Sequence, residues 1–422
     1  MMEIYETINV LSFIQGYFHW LSNLTAWQLV GLLSFVLVDL LRNIGKPIAL
    51  SIHNIFRRIR PLPFRNVDNA QIKITILIPA HNEGVSIKNT IESLLDNTYP
   101  NKEIIVIDDH STDNTFEQAY PYYKRGQIKL IKRTEGKGSK SGAINFGIVF
   151  ATGEVILVMD GDTLLERGAL KDVARAMTVP DVVAVAGNVR ILSGDEGVVN
   201  ILTKSQSYEY LIAFELGRRI RLMMGVLVII PGAFGAFRKS IAAKVGLYDK
   251  DTMTEDFDLG IKIFKTSGKV VFLPNSVGWT YCPNNWKAWM RQRLRWSHGQ
   301  FTTLTKHKDA VSIGTTYRIL FVLGIMDMMF MDVVLLFVRV VSLAYIFLTF
   351  QQSILYPLIF MMMIYFVNEL IVIITAIVFS SHKSNLRYVY LVPFIIFVYR
   401  PVYACIRFYA YALSLFKREV KW

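Results

Sequence analysis

The stretch EVILVMDGD, residues 154–162, decides how this chain folds. An apolar, β-branched run stops at two aspartates separated by one glycine, which reads as a buried strand ending in a turn. Similar runs stand upstream: KITILIPA (73–80), EIIVIDD (103–109) and IKLIKR (128–133). Helical patterns fall between them at 85–96, 113–124 and 139–151. Strand and helix in alternation predict βαβ units and an α/β domain with a mostly parallel, doubly wound sheet. VVAVAGNVRI (182–191) adds a further strand. Ligands bind such sheets beyond the carboxyl ends of the strands, where Asp108 and Asp109 close one run and Asp160 and Asp162 another.

The rest of the chain is of a different kind. Its 422 residues are 53% hydrophobic and 19% charged, with a mean hydropathy of +0.36. That is too apolar for a soluble protein and too charged for one that lies wholly in a membrane. Residues 25–50, 331–350, 354–380 and 387–416 can each span a bilayer. No Lys or Arg precedes Arg42, whereas Arg42, Lys46, Arg57, Arg58, Arg60 and Arg65 follow the first span. This bias places the region from 52 to about 310 in the cytoplasm of a multi-pass plasma-membrane protein. The expected order is a membrane segment at 1–51, a basic linker at 52–72 and a cytoplasmic domain at 73–300. An interface or membrane helix at 301–330, transmembrane helices at 331–416 and a tail at 417–422 complete it. The net charge of +13 suits loops near anionic lipid. Nucleic acid is not an expected partner, because the basic runs carry no recognised module. Cys282 and Cys405 form no disulfide framework.

Several short motifs carry chemistry, and each also has a plain structural reading. In DGD, Asp160 and Asp162 two apart can share a target, with Gly161 letting the backbone bend around it. Hard oxygen ligands of that kind suit Mg²⁺ or Mn²⁺ held with phosphates, although Asp and Gly favour turns in any case. In DDHSTDNT (108–115), Asp109 can accept hydrogen bonds from a ribose or base edge. EGKGSKSGAIN (135–145) sets Lys137 and Lys140 ahead of a helix, a phosphate-facing turn without P-loop spacing. In MTEDFDLG (253–260), Thr254 caps a helix whose first turn holds Glu255, Asp256 and Asp258. Asp256 there can act as a base that assists late in a displacement. MRQRLRWSHG (290–299) is either a basic amphipathic segment on anionic lipid or a guanidinium clamp on a diphosphate with Trp296 facing a sugar ring.

Taken together, the ordered series resembles the inverting, membrane-embedded family-2 glycosyltransferases, such as hyaluronan, chitin and cellulose synthases and poly-N-acetylglucosamine synthase. The series is PAHNE (79–83), DDHSTDNT, KSGAIN (140–145), DGD, GNVRI (187–191), PGAFGAFRKS (231–240), TED (254–256) and QRLRW (292–296). It covers about residues 73–300. The resemblance implies a GT-A fold and an enzyme that moves a sugar, N-acetylglucosamine as the best match, from a UDP-sugar to a polysaccharide end with inversion and export. By the same resemblance, Pro79, His81, Glu83, Asp109 and Lys140 line the nucleotide site, and Asp160 and Asp162 hold the metal-bound diphosphate. Asp256, with Glu255 beside it, matches the catalytic base. Gln292, Arg293 and Arg295 match the residues over the pyrophosphate, while Trp296, Gly232 and Phe234 match the acceptor site. His81 stands where Tyr is frequent in the family. Two alternatives stay open: a transferase adding one sugar to a membrane lipid, and a non-catalytic transporter or scaffold.

Overall fold

The computed structural model describes residues 10–59, 71–134, 138–312, 319, 322, 324–325 and 331–416. Lys137, most of the basic linker, most of 313–330 and the 417–422 tail lie outside the described residues.

Two helices come first, α1 (Val10–Ser22) and α2 (Ala26–Ile59). The alternating part follows, with β1 (Ile74–Ala80), α3 (Ile87–Leu95), β2 (Lys102–Asp109), α4 (Thr115–Lys124), β3 (Lys129–Arg133) and α5 (Lys140–Phe150). Next are β4 (Val155–Val158), β5 (Leu164–Leu165), α6 (Ala169–Met177) and β6 (Val182–Gly194). Helix α7 (Ile201–Ile212) continues through a π-turn at Ala213–Arg218 into α8 (Arg219–Met223). β7 (Gly235–Arg238), α9 (Lys239–Lys244), α10 (Glu255–Phe264), β8 (Lys269–Cys282) and α11 (Trp286–Lys306) complete the domain.

The eight strands form one sheet in the order β3-β2-β1-β4-β7-β6-β8-β5. Pairing is parallel from β3 to β4 and between β6 and β8, as the alternating pattern predicts. β7 runs antiparallel to both β4 and β6, and β5 to β8. Successive side chains point to opposite faces, and here each face has its own core. Ile74, Ile76, Val106 and Leu157 pack on one side, and Leu77, Ile105, Ile107 and Val158 on the other. A sheet covered on both faces needs continuous apolar strands, which is why EVILVM shows no polar alternation.

Close backbone approaches fix the helices that carry the later motifs. A Cβ on Gly260 would lie 1.8 Å from the Val228 carbonyl oxygen, so α10 rests directly on that segment. At Gly299, a Cβ would stand 2.7 Å from Thr254 Cγ2, so α11 crosses the start of α10.

Beyond the domain lie α12 (Met331–Phe350), α13 (Leu355–Phe379) and α14 (Arg400–Leu415). Among the described residues, three helices are long and apolar enough to cross a membrane: Val334–Ser353, Leu355–Phe379 and Leu386–Leu415. Ala26–Ser34 and Asp39–Phe56, bent by 60°, would make a fourth as one broken span. Glu215, with no exposed surface, ties domain to membrane part. It accepts from Arg190, from Arg219 at 2.8 Å and from Asn188 at 3.0 Å. Arg190 also reaches Ser380 at 2.9 Å and Arg219 the Phe379 carbonyl at 2.8 Å.

Replacing Gly260 with Ala puts a methyl against an immovable carbonyl, which should cost about 3 kcal/mol. The thermal midpoint of the detergent-solubilised protein should then fall by roughly 6–12 °C, given a domain of this size; an unchanged midpoint would show that α10 can move.

Candidate active site

The first two βα loops lock together at the carboxyl ends of β1 and β2. Asn82 takes a positive φ of 57°, which Asn tolerates better than most residues. Its amide donates to Ser111 Oγ at 3.0 Å, and its side-chain oxygen accepts from the Thr112 amide at 2.8 Å. The Glu83 and Gly84 amides donate to Thr115 and Asp113 at 2.7 and 2.9 Å. His81 Nδ1 lies 2.8 Å from the Asp109 carbonyl. The Asp109 carboxylate joins Arg133 at 2.7 Å and the Ser139 amide at 2.9 Å. Ser139 caps α5 by accepting from the Gly142 amide at 3.2 Å. Thus Asp109 positions the helix that begins with Lys140, with Pro79 part-buried at the end of β1 and His81 exposed above it.

Lys140 is the centre of the cluster. Its ammonium is bonded to Asp160 and lies 3.7 Å from Glu255 Oε1. Burial works against that charge, but the carboxylates outweigh it and hold the Lys140 pKa above its ordinary value. Asp256 Oδ2 accepts from the Gly232 amide at 3.3 Å. A Cβ on Gly232 would sit 2.8 Å from Lys140 Nζ, so glycine is what lets PGAF approach. Four motifs far apart in sequence (KSGAIN, DGD, PGAF and TED) therefore meet through one ammonium and one amide.

Asp160 and Asp162 lie in a hydrogen-bonded turn, with the Thr163 amide donating to the Asp160 carbonyl at 3.1 Å, as the turn chemistry of Asp and Gly favours. The two carboxylates still act on each other. Burial first, and then the charges of Asp160 and Glu83, raise Asp162 to about 7. Its hydrogen bonds come from the Thr280 and Thr163 hydroxyls at 3.3 and 3.4 Å. Glu83 is raised by burial and by Asp160, and Glu255 by burial and by Asp256. Negative charge is in excess here, which suits a divalent cation. No group of three or more His, Cys, Asp or Glu side chains forms a metal site among the described residues. An ion held by Asp160 and Asp162 would take its remaining ligands from a phosphate-bearing substrate.

The QRLRW residues are divided by the helix that carries them. Arg295 is exposed, and Gln292 and Trp296 are half-buried. Arg293 is fully buried. Its guanidinium pairs with Glu209 at 2.7 Å, donates to Gln292 at 2.6 Å and lies 4.3 Å from the Trp296 ring centroid. It lies inside the protein, away from a ligand-facing surface, because a neighbouring carboxylate on α7 and three aromatic rings enclose it. Phe234 also differs from its expected place at the acceptor. It is fully buried, its ring filling the slot left by Gly187, whose Cβ would lie 2.1 Å away. Gly232 remains half-buried at the cluster.

Sequence reading missed two charged groups. Arg218 donates to the Ile229 carbonyl at 3.2 Å, and burial with Arg221 beside it lowers its pKa to about 9, against the pull of Asp256. Glu209 is the partner of Arg293. Both sit in YEYLIAFELGRR (208–219), where charges inside an otherwise apolar helix were the available signal.

Comparison with known proteins bears on this arrangement. Residues 75–246 match the model of glycosyl transferase family 2. The probable glycosyltransferase YdaM of Bacillus subtilis is 30% identical over 376 residues, 83% of this chain and 86% of that protein. The poly-beta-1,6-N-acetyl-D-glucosamine synthase of Staphylococcus epidermidis is 31% identical over 237 residues, 55% of this chain. The match spans just over half, 56%, of that relative's length. Among solved structures, a mannosyltransferase from Pyrobaculum calidifontis in complex with GDP-Man and Mn²⁺ superposes with a TM-score of 0.56 at 17% identity. That superposition covers 92% of this chain and all of the other, and it shows a common GT-A fold. A family match that runs from β1 to β7, and a relative aligned along most of both chains, place this chain in glycosyltransferase family 2.

Proposed function

We infer that the protein transfers a sugar from a UDP-sugar to the end of a growing polysaccharide, with inversion, and that Asp256 is the base. The observation that carries this reading is the joining of Asp160, Lys140, Glu255 and Asp256 beyond the carboxyl ends of the parallel strands. The acceptor hydroxyl attacks the anomeric carbon of a UDP-α-sugar from the face opposite the diphosphate. As the oxygen–carbon bond forms and the carbon–oxygen bond to phosphate breaks, Asp256 takes the hydroxyl proton and UDP leaves, giving a β-linkage. Asp256 needs only to be ionised and within reach for this role. Asp160 and Asp162 would hold Mg²⁺ or Mn²⁺, which when bound offsets charge on the departing diphosphate. Lys140 contributes fixed positive charge on the same side. His81, Glu83 and Asp109 suit the nucleoside, Arg295 the diphosphate and Trp296 the acceptor ring. Arg293, enclosed as it is, acts by positioning Trp296.

N-acetylglucosamine is the favoured donor sugar and export the favoured fate, by analogy with the poly-N-acetylglucosamine synthases. The basic bias around the first span supports a cytoplasmic catalytic domain in the plasma membrane. Screening UDP-sugars one at a time in nanodiscs tests both donor and product. A ladder of polymers supports processive synthesis, while a single glycolipid supports the lipid-modifying alternative.

Asp256→Asn should leave UDP binding within about twofold and lower sugar transfer by about 10²–10⁴, the range for loss of a general base. UDP release at the wild-type rate would remove Asp256 from the mechanism. Chelation with EDTA should abolish transfer, with Mn²⁺ restoring it. For Asp162→Asn, restoration should need at least about tenfold more Mn²⁺; an unchanged requirement would take Asp162 out of the cation site.

A further inference from the structure

Leu386–Leu415 is long and apolar enough to cross a membrane, yet it touches the glycosyltransferase domain along its whole length. Near its start, Tyr388 lines a small pocket with Arg190, and Lys204 Nζ lies 5.8 Å from the Tyr390 ring. Further along, Phe394 meets Trp286 at 6.4 Å, and the Tyr399 hydroxyl accepts from Trp289 Nε1 at 2.9 Å. At the far end, Tyr411 packs on Phe301 at 5.5 Å, and the Ser414 hydroxyl is 2.7 Å from His298 Nδ1.

The length of this contact decides its meaning. Tyr388 and Ser414 are 26 positions apart, roughly 39 Å at about 1.5 Å per residue, which exceeds the roughly 30 Å hydrocarbon thickness. A crossing helix can touch a domain on one side of the bilayer only over its near turns. The partner, α11, cannot enter the hydrocarbon layer with it. Lys287 and Arg291, four residues apart on one side of the helix, are exposed and belong among headgroups. Both ends of α11 are also tied into the domain. Asn200 donates to the Asn284 carbonyl at 2.7 Å, and Lys306 pairs with Asp249 at 2.6 Å.

We propose that Leu386–Leu415 lies along the membrane surface, between α11 and the crossing helices α12 and α13, with lipid as the partner of its outer face. Its links to the crossing helices include the Arg400–Glu369 pair at 2.6 Å, the Phe408–Phe337 contact at 5.9 Å and a buried cluster of Val392 and Ile395 with Ile373 and Ala376. The segment contains six tyrosines and three arginines, residue types that settle at the bilayer–water boundary. Exposed Phe397 and Tyr409 are left to face lipid. Ser380, just past the end of α13, accepts from Arg190 of the domain at 2.9 Å, so the chain leaves α13 on the domain's side, and beyond Leu415, with Lys417, Arg418 and Lys421, it stays there. That is where the charge bias puts it.

Sidedness tests this in the full-length protein. In a Cys405→Ser background, Val420→Cys and Glu117→Cys are labelled separately with a membrane-impermeant maleimide in sealed vesicles of one orientation. Cys282 is buried, and Glu117 is exposed on α4. The expected result is that both positions label in the same orientation and both are protected in the opposite one. Labelling of Val420→Cys from the face opposite Glu117→Cys would overturn the proposal. If the cysteine background lowers the yield, a protease site appended after Trp422 in the wild-type chain gives the same reading: cleavage on the domain's side supports it, and cleavage on the other refutes it.

Discussion

The Lys140 ammonium is the contact on which the rest of the site depends. It holds Asp160 and approaches Glu255, and among the described residues no other basic group pairs with these acids. Without it, Asp160, Glu255 and Asp256 would face each other while partly removed from water, an arrangement that charge desolvation disfavours. Its own position rests on Asp109, which holds the Ser139 amide immediately before it. A residue expected to read a nucleoside therefore also sets the start of the helix that carries the central cation.

Glycine does a second job in this domain. At Gly232, Gly260, Gly187 and Gly299 a side chain would collide with a neighbouring group. In each case the missing Cβ brings two segments far apart in sequence within van der Waals distance. The catalytic geometry thus comes from close backbone packing as much as from charged side chains.

The seam between domain and membrane helices is built from enclosed ion pairs. Glu215 joins Arg190 and Arg219, Glu209 joins Arg293, and Glu369 joins Arg400 with Tyr208 donating at 2.5 Å. Such pairs contribute little net stability, but removal of one member is costly because the other is left buried and unpaired. Their effect is to fix one docking arrangement of the domain. Arg293, Trp289, Trp296 and Tyr399 are locked together in that seam, so the helix carrying QRLRW cannot turn independently of the membrane part.

How the rest was legible follows from range. Local pattern was enough for the parallel strands, their helices and the acids at the strand ends, because period and turn chemistry act over a few residues. The antiparallel insertion of β7 had no local signal. Arg293 and Phe234 read as ligand-facing from their motifs, yet their surroundings are supplied by Glu209 and Gly187, more than 40 residues distant. Hydropathy likewise marked Leu386–Leu415 as apolar, but its orientation depends on what packs beside it. The sequence by itself determined which residue types stand at which strand ends. Only the tertiary structure decided which of them share a charge cluster and which are enclosed, because burial and pairing are properties of contacts between segments that composition does not record.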